Sequence, residues 1–287
     1  MNLQEALVET LSARGATRSP TVEAAFRVVP RHLFVPHVPP EAAYQDQSIP
    51  TKRLNGDLVS SSSQPAIMAV MLEQLDLKPG HRVLEIGAGT GYNAALMAHI
   101  VGPQSQVITV DIDLDIVEAA RQHLASAGVA QVQVVQGDGG LGYAEGGPYD
   151  RIIFTVGAGE VRPMWLAQLR RGGRLLLPLS LKGDTQVSAA FERATEGWET
   201  KSVKACGFMR LRGAFAEGSL LVQLGPERGL RLATDRPSTV DTDFNCFICV
   251  PLSQSHHPAA TNPASLNCVP EVHPAYRCRQ PGRLSKR

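Results

Sequence analysis

Glu85, Asp111 and Asp138 each follow a short apolar run, and Gly87, Gly89 and Gly91 come after the first of them at every second position. Glycines so spaced permit backbone angles and a close ligand approach that a Cβ would block. Residues 83–98, VLEIGAGTGYNAALMA, therefore read as a buried strand, a tight turn and a helix start. The nicotinamide fingerprint needs G-x-G-x-x-G, but Tyr92 stands at its third glycine. A carboxylate at Glu85, beside the turn, holds a cation and repels a pyrophosphate. The expected cofactor is therefore S-adenosylmethionine, bound by its cationic methionine end. Asp111, twenty residues past Gly91, falls at the end of the neighbouring strand, where an acid accepts hydrogen bonds from ribose hydroxyls. Asp138, between Gly137 and Gly139, is placed to accept from an adenine amino group. An Asp-Gly pair alone is an ordinary turn signal, and this one gains weight as the third acidic strand end in register.

A second group lies upstream. Ser60, Ser61, Ser62 and Ser63 precede Gln64-Pro65, and Ile67, Met68, Met71, Leu72 and Leu75 follow at helical spacing. Serine is a strong N-cap and proline suits the first turn, so one serine is expected to cap this helix. The others are either a flexible lead-in or, with free helix amides, an anion site suited to a carboxylate. Lys52 and Arg53 either draw in an anionic peptide or form a solvated basic pair.

The elements that must position these residues follow from periodicity. Leu3, Leu7, Val8 and Leu11 mark one amphipathic helix, and Val22, Ala25, Phe26 and Val29 a second that Pro30 stops. Residues 30–53 are too rich in proline for regular structure and read as an apolar loop, either wrapping the sheet or serving as a substrate lid. Strands are expected at 83–86, 107–110, 132–135, 151–156 and 174–179, with Arg171-Gly172-Gly173 a turn before the last, then a hairpin of 187–193 and 198–203. Alternating strands and helices ending in a hairpin describe an α/β fold, a mostly parallel seven-stranded sheet with an antiparallel edge.

The composition is that of an ordinary globule. A net charge of +1 over 287 residues implies no nucleic-acid partner. No apolar run is long enough for a membrane span and no signal peptide is apparent, so a cytoplasmic monomer is the default. From Pro237 the chain is rich in Pro, Ser, Asn, His and Cys, and disorder is expected. Cys246 and Cys249 form a C-x-x-C there, with His256, His257, Cys268 and Cys278 following, but the second half lacks paired zinc-ligand spacing, so no metal is expected.

The order AYQDQSIP, SSSQPAIMAVMLEQL, VLEIGAGTGYNAALMA, GDG and QLRRGGRLLLPL resembles protein-L-isoaspartate O-methyltransferase over about residues 20–215. The resemblance implies a class I, Rossmann-like methyltransferase fold with N-terminal helices over the sheet. It implies S-adenosylmethionine as cofactor and methylation of the α-carboxylate of isoaspartyl residues, the ester closing to a succinimide. The chain is expected to divide into N-terminal helices and substrate-side loop (1–58), methyltransferase domain (59–220) and a largely disordered extension (221–287). Carried over by motif, Ser63 matches the active-site serine and Ser61 a position usually threonine. Glu85, Gly87, Gly89, Asp111, Asp138 and Gly139 match the cofactor positions, with Gly91 completing the turn. The expected carboxylate donors are the Ser63 hydroxyl and nearby helix amides, with Ser61 second.

The chain departs from the family's P-I-G-x-G-Q-T-I-S at Pro50–Val59. That form resembles a branch of such enzymes that esterify an aspartate of a ribosomally made precursor peptide. Repair of isoaspartate, modification of a dedicated peptide and a non-catalytic cofactor-binding module with a Cys-rich tail are three readings with different tests.

Overall fold

The computed structural model describes residues 2–181, 185–194 and 197–216, and the backbone of strands Leu220–Gln223 and Arg231–Thr234. Helix α1, Leu3–Ala13, is capped by the Asn2 side chain, and α2, Pro20–Val28, by Ser19 with proline in its first turn. Leu7, Val8, Leu11, Val22, Ala25 and Phe26, all in the expected stripes, are buried.

Residues 30–53 are not the irregular loop that their prolines suggest. Arg31–Phe34 makes a 3-10 turn, and Pro40–Ala43 the short helix α3. Strand β1, Ile49–Leu54, pairs antiparallel with β2, Asp57–Ser62. Asn55 and Gly56, at φ 52° and 91°, join them as a two-residue turn of the kind that matches strand twist.

Helix α4 spans Pro65–Leu75, directly after β2. The chain then alternates through β3 Val83–Ile86, α5 Tyr92–Val101, β4 Val107–Asp111, α6 Leu114–Ser126, β5 Val132–Gln136, β6 Tyr149–Phe154, α7 Pro163–Ala167 and β7 Leu169–Ser180. The edge hairpin is β8 Gln186–Arg193 and β9 Trp198–Cys206. The sheet order is β5-β4-β3-β6-β7-β8-β9, parallel from β5 to β7 and antiparallel beyond. Arg171-Gly172-Gly173, read as a turn, lies inside β7, where the β6–β7 pairing shifts register. Strands β10, Leu220–Gln223, and β11, Arg231–Thr234, form a further antiparallel pair absent from the periodicity. The expected disordered tail and its cysteine and histidine residues lie outside the described residues. Among these no helix is long and apolar enough to cross a membrane.

Helices α1, α2, α4, α5 and α6 share one hydrophobic core with the sheet. Phe26 meets Tyr92 edge-to-face and Phe34 meets it at a tilt, at 6.2 and 5.3 Å between ring centroids, which seats the N-terminal segment on α5. Strand order reverses around β3, so the carboxyl ends of β3, β4 and β6 open the crevice where ligands of such sheets bind. Helix α4 is fixed at its far end: Arg151 donates to the Leu75 and Asp76 carbonyls at 2.8 and 3.2 Å, and Arg174 to Gln74 at 2.7 Å. These are carbonyls that a helix end leaves unpaired.

Candidate active site

Beyond Ile86 the chain turns through Gly87, Gly89 and Gly91 at φ 101°, 51° and 84°, conformations that side chains with a Cβ rarely adopt. A Cβ on Gly87 would collide with Thr155 Oγ1, and one on Gly89 would stand 3.4 Å from the Ser61 carbonyl. The turn is thus pressed between the end of β6 and the end of β2. A cavity open to solvent lies over it.

Of the expected site residues, Ser61, Ser63, Glu85, Gly87, Gly89 and Asp111 line this cavity. Thr155 and Met209, which the sequence did not single out, line it too. Gly91 is the N-cap position of α5, just behind the turn. Gly139 lies where a Cβ would meet Ile86.

Glu85 is fully buried. Its Oε1 accepts from Asn93 Nδ2 at 2.7 Å and its Oε2 from Thr109 Oγ1 at 2.6 Å. Burial pushes its carboxyl up to about 7 despite those two donors. Asp111 accepts from the Gly89 and Asp113 amides, each at 3.3 Å, and burial raises its carboxyl as well.

Asp138 is placed differently from the expectation. Its Oδ1 accepts from the Gly140 amide at 2.9 Å and its Oδ2 from Ala214 at 2.6 Å, so it holds the segment after β9 against the sheet. It does not line the cavity, although it belongs to the same edge.

The serines also correct the reading. Ser60, Ser61 and Ser62 complete β2, and none caps α4: the N-cap residue is Gln64, without a side-chain cap bond. The capping oxygen comes from Asp46, whose Oδ1 accepts from the Ala66 amide at 2.9 Å. Its Oδ2 takes Gln64 Nε2 at 3.2 Å and pairs with Arg14 at 2.6 Å. Pro65 has no amide hydrogen, and the Met68 amide bonds the Gln64 carbonyl at 3.2 Å. The positive end of α4 therefore already holds a carboxylate of the chain itself, which occupies the Ala66 amide, while the Met68 amide is taken by the Gln64 carbonyl.

The serine hydroxyls alternate with the strand. Ser60 and Ser62 are buried, while Ser61 and Ser63 are partly exposed in the cavity wall. The Ser60 hydroxyl accepts from Thr51 at 2.9 Å, and the Ser62 hydroxyl is buried without a partner. The Ser63 carbonyl accepts from Arg31 Nη2 at 3.0 Å. Arg31 is fully buried with its guanidinium 5.1 Å from the Tyr92 ring centroid, and burial lowers its pKa. No periodicity or motif marks such an arginine. Lys52 and Arg53 leave the cavity unlined: Lys52 Nζ pairs with Asp113 at 2.8 Å and Asp115 at 2.7 Å, and Arg53 donates to Gly56 in its own turn at 2.9 Å.

The family profile described as Protein-L-isoaspartate(D-aspartate) O-methyltransferase (PCMT) matches residues 1–215. A protein-L-isoaspartate O-methyltransferase of Methanopyrus kandleri is 40% identical over 214 residues, covering 73% of this chain and 91% of the relative. That of Hyperthermus butylicus is 37% identical over 217 residues, covering 73% and 88%. A solved protein-L-isoaspartate O-methyltransferase superposes with TM-score 0.68 at 35% identity, covering 74% of this chain and 67% of that one. A solved beta-aspartate methyltransferase from Plasmodium falciparum, in complex with S-adenosyl-L-homocysteine, has TM-score 0.63. It is 22% identical, covers 74% of this chain and 99% of that one, and bears on the fold alone.

Proposed function

This chain belongs to the protein-L-isoaspartate(D-aspartate) O-methyltransferase family, and from that premise we propose that its cavity joins S-adenosylmethionine, over the glycine turn, to an isoaspartyl carboxylate held at the end of β2. The observation that carries this is the meeting of the two sides: the Ser61 backbone touches the space beside Gly89, and Ser61, Ser63, Gly87 and Gly89 line one cavity.

The residues present fit the cofactor. Gly87 and Gly89 leave backbone exposed where a Cβ would intrude, Glu85 offers a buried carboxylate to the cationic methionine end, and Asp111 closes the next strand. When bound, S-adenosylmethionine supplies an activated methyl group on a positively charged sulfur.

The chain's own part is positional. A substrate carboxylate titrates near 4 and is already ionised at neutral pH, so it needs no general base. No lysine, arginine or histidine among the described residues lines the cavity. A close ion pair would hold the oxygen back, whereas neutral hydroxyls orient it while water is excluded. Ser63 is the principal donor and Ser61 the second. Arg31 fixes Ser63 through its backbone, with its charge buried against Tyr92 rather than presented to the substrate.

Mass spectrometry after incubation with S-adenosylmethionine and matched peptides carrying Asp or isoAsp at one site is the test. One methyl gained by the isoAsp peptide alone supports this reading. The hairpin that walls the cavity is built from the stretch that departs from the family pattern, and this favours a second reading, an aspartate in a dedicated peptide. A methyl gained by a precursor peptide encoded beside this chain, and by neither test peptide, would establish that one. Cofactor binding with no transfer to any peptide would reduce the chain to a binding module.

A further inference from the structure

Besides helices α4 and α5, two parts of the cavity wall lie outside the parallel sheet. One is residues 59–63, from β2 and its end, and the other is Met209, from the segment 207–216 that follows β9. Side chains from β1, the strand paired with the first, and from the second converge on one carboxylate. Lys52, on β1, places Nζ 2.8 Å from Asp113 Oδ2 and 2.7 Å from Asp115 Oδ1. Arg212 grips Asp113 in a fork, Nη1 at 3.2 Å from Oδ1 and Nη2 at 2.8 Å from Oδ2. Asp113 is the N-cap residue of α6, and its amide donates to Asp111, one of two acids lining the cavity.

The bulges in the hairpin bear on this geometry. Pairing slips between Pro50 and Lys52 and again between Lys52 and Arg53, irregularities that re-aim side chains. Lys52 sits in the stretch where the chain departs from the family pattern, so this contact belongs to this chain's own form of the hairpin. The segment 207–216 has other ties: the Gly157 amide donates to the Met209 carbonyl at 2.7 Å, the Leu211 amide to Gly157 at 2.8 Å, and the Ala214 amide to Asp138 at 2.6 Å.

We propose that Asp113 is a positioning residue, a single clasp that holds both walls, the β1–β2 hairpin and the segment 207–216, against the cofactor edge of the sheet. A ligand seated on the Gly87–Gly89 turn lies beneath both walls, so its release requires the clasp to loosen. This rests on the reading of the cavity as an S-adenosylmethionine site. The three side chains are only partly buried, with exposures of 18% for Asp113, 25% for Lys52 and 34% for Arg212. Salt therefore screens the clasp. It needs the charge of Asp113 and not merely its shape, because an asparagine offers only one acceptor oxygen to the two cations.

The test compares wild type, Asp113→Asn and Asp113→Glu by amide hydrogen exchange without ligand and by stopped-flow release of S-adenosylhomocysteine. Asp113→Asn is expected to speed exchange several-fold in residues 49–62 and 207–216 together. It is expected to speed release by a similar factor, and Asp113→Glu restores both. Raising salt from about 0.05 to about 0.5 M speeds release from wild type and leaves Asp113→Asn unchanged. Faster exchange in only one segment or in neither, or an unaltered salt response in Asp113→Asn, overturns the clasp. A wild type that binds no S-adenosylhomocysteine overturns the proposed function instead, and exchange in the ligand-free proteins still decides the clasp.

Discussion

The cofactor side and the substrate side of the cavity are built by different means. The first is backbone at the ends of parallel strands: the turn after β3, Asp111 closing β4 and Thr155 following β6, with Glu85 locked between Asn93 and Thr109. Neighbouring strands and a nearly all-buried α5 determine its shape. The second is a bulged hairpin and a segment beyond the sheet, joined to the rest through side chains far apart in sequence: Asp46 to Ala66, Arg31 to Ser63, Lys52 and Arg212 to Asp113. A binding site can thus be rigid on one side through its fold and on the other through a few charges.

The largest effect should come from the cofactor side. Gly87→Ala puts a Cβ against Thr155 at φ 101°, and about 100-fold weaker cofactor binding by calorimetry is expected, since each factor of ten is about 1.4 kcal/mol. Retained affinity would show that the turn yields, contrary to the contrast drawn. Next, Ser63→Ala should lower kcat about 10- to 100-fold through misplacement of the carboxylate, with cofactor affinity unchanged. Equal losses of both would mean that the two sides are not separable.

Glu85→Gln sharpens the comparison through pH. The folded carboxyl lies at about 7, above its ordinary 4.5, so the fold favours the neutral form. The stability contributed by this group is full below about 4.5 and is lost as pH rises through about 7. The melting temperature of ligand-free Glu85→Gln should match wild type near pH 4.5 and exceed it near pH 8. A bound cation reverses the preference: wild-type cofactor affinity should climb through neutral pH, while that of Glu85→Gln stays lower and flat. Smallest, Asp46→Ala removes the distant cap of α4 and should cost about 1 kcal/mol in denaturant unfolding. A loss near zero would mean that water satisfies the Ala66 amide equally well.

This division also governs what the sequence reveals. Strands β3 and β4, most of β6 and the second half of β7 are apolar runs because they are buried on both faces, and strand ends carry glycines and acids at informative spacing. The hairpin hides its period: Pro50 and the charged Lys52 and Arg53 interrupt it, and two bulges break alternation, although Asn55-Gly56 is a turn signal. The four serines resemble a cap in composition, but three of them occupy a strand and the fourth follows it, while the oxygen that caps lies eighteen residues before Gln64. Asp138 reads as a ligand group, yet its partner Ala214 is seventy-six residues away. Arg31 sits in a proline-rich stretch and becomes legible only when Tyr92 and Ser63 are seen around it. Contacts between remote charges leave no local pattern.

Helix α4 carries one more consequence. A carboxylate grips its leading end, two guanidinium groups grip its trailing carbonyls, and Gln74 ties it to Ser188 and Ser202 on the outer strands at 3.1 and 3.0 Å. Its eleven residues act as a strut about 16 Å long between the sheet's far border and Ser63. Loosening of that border on warming therefore travels along the strut to the reacting centre, and the temperature at which turnover fails should lie below that at which the chain unfolds.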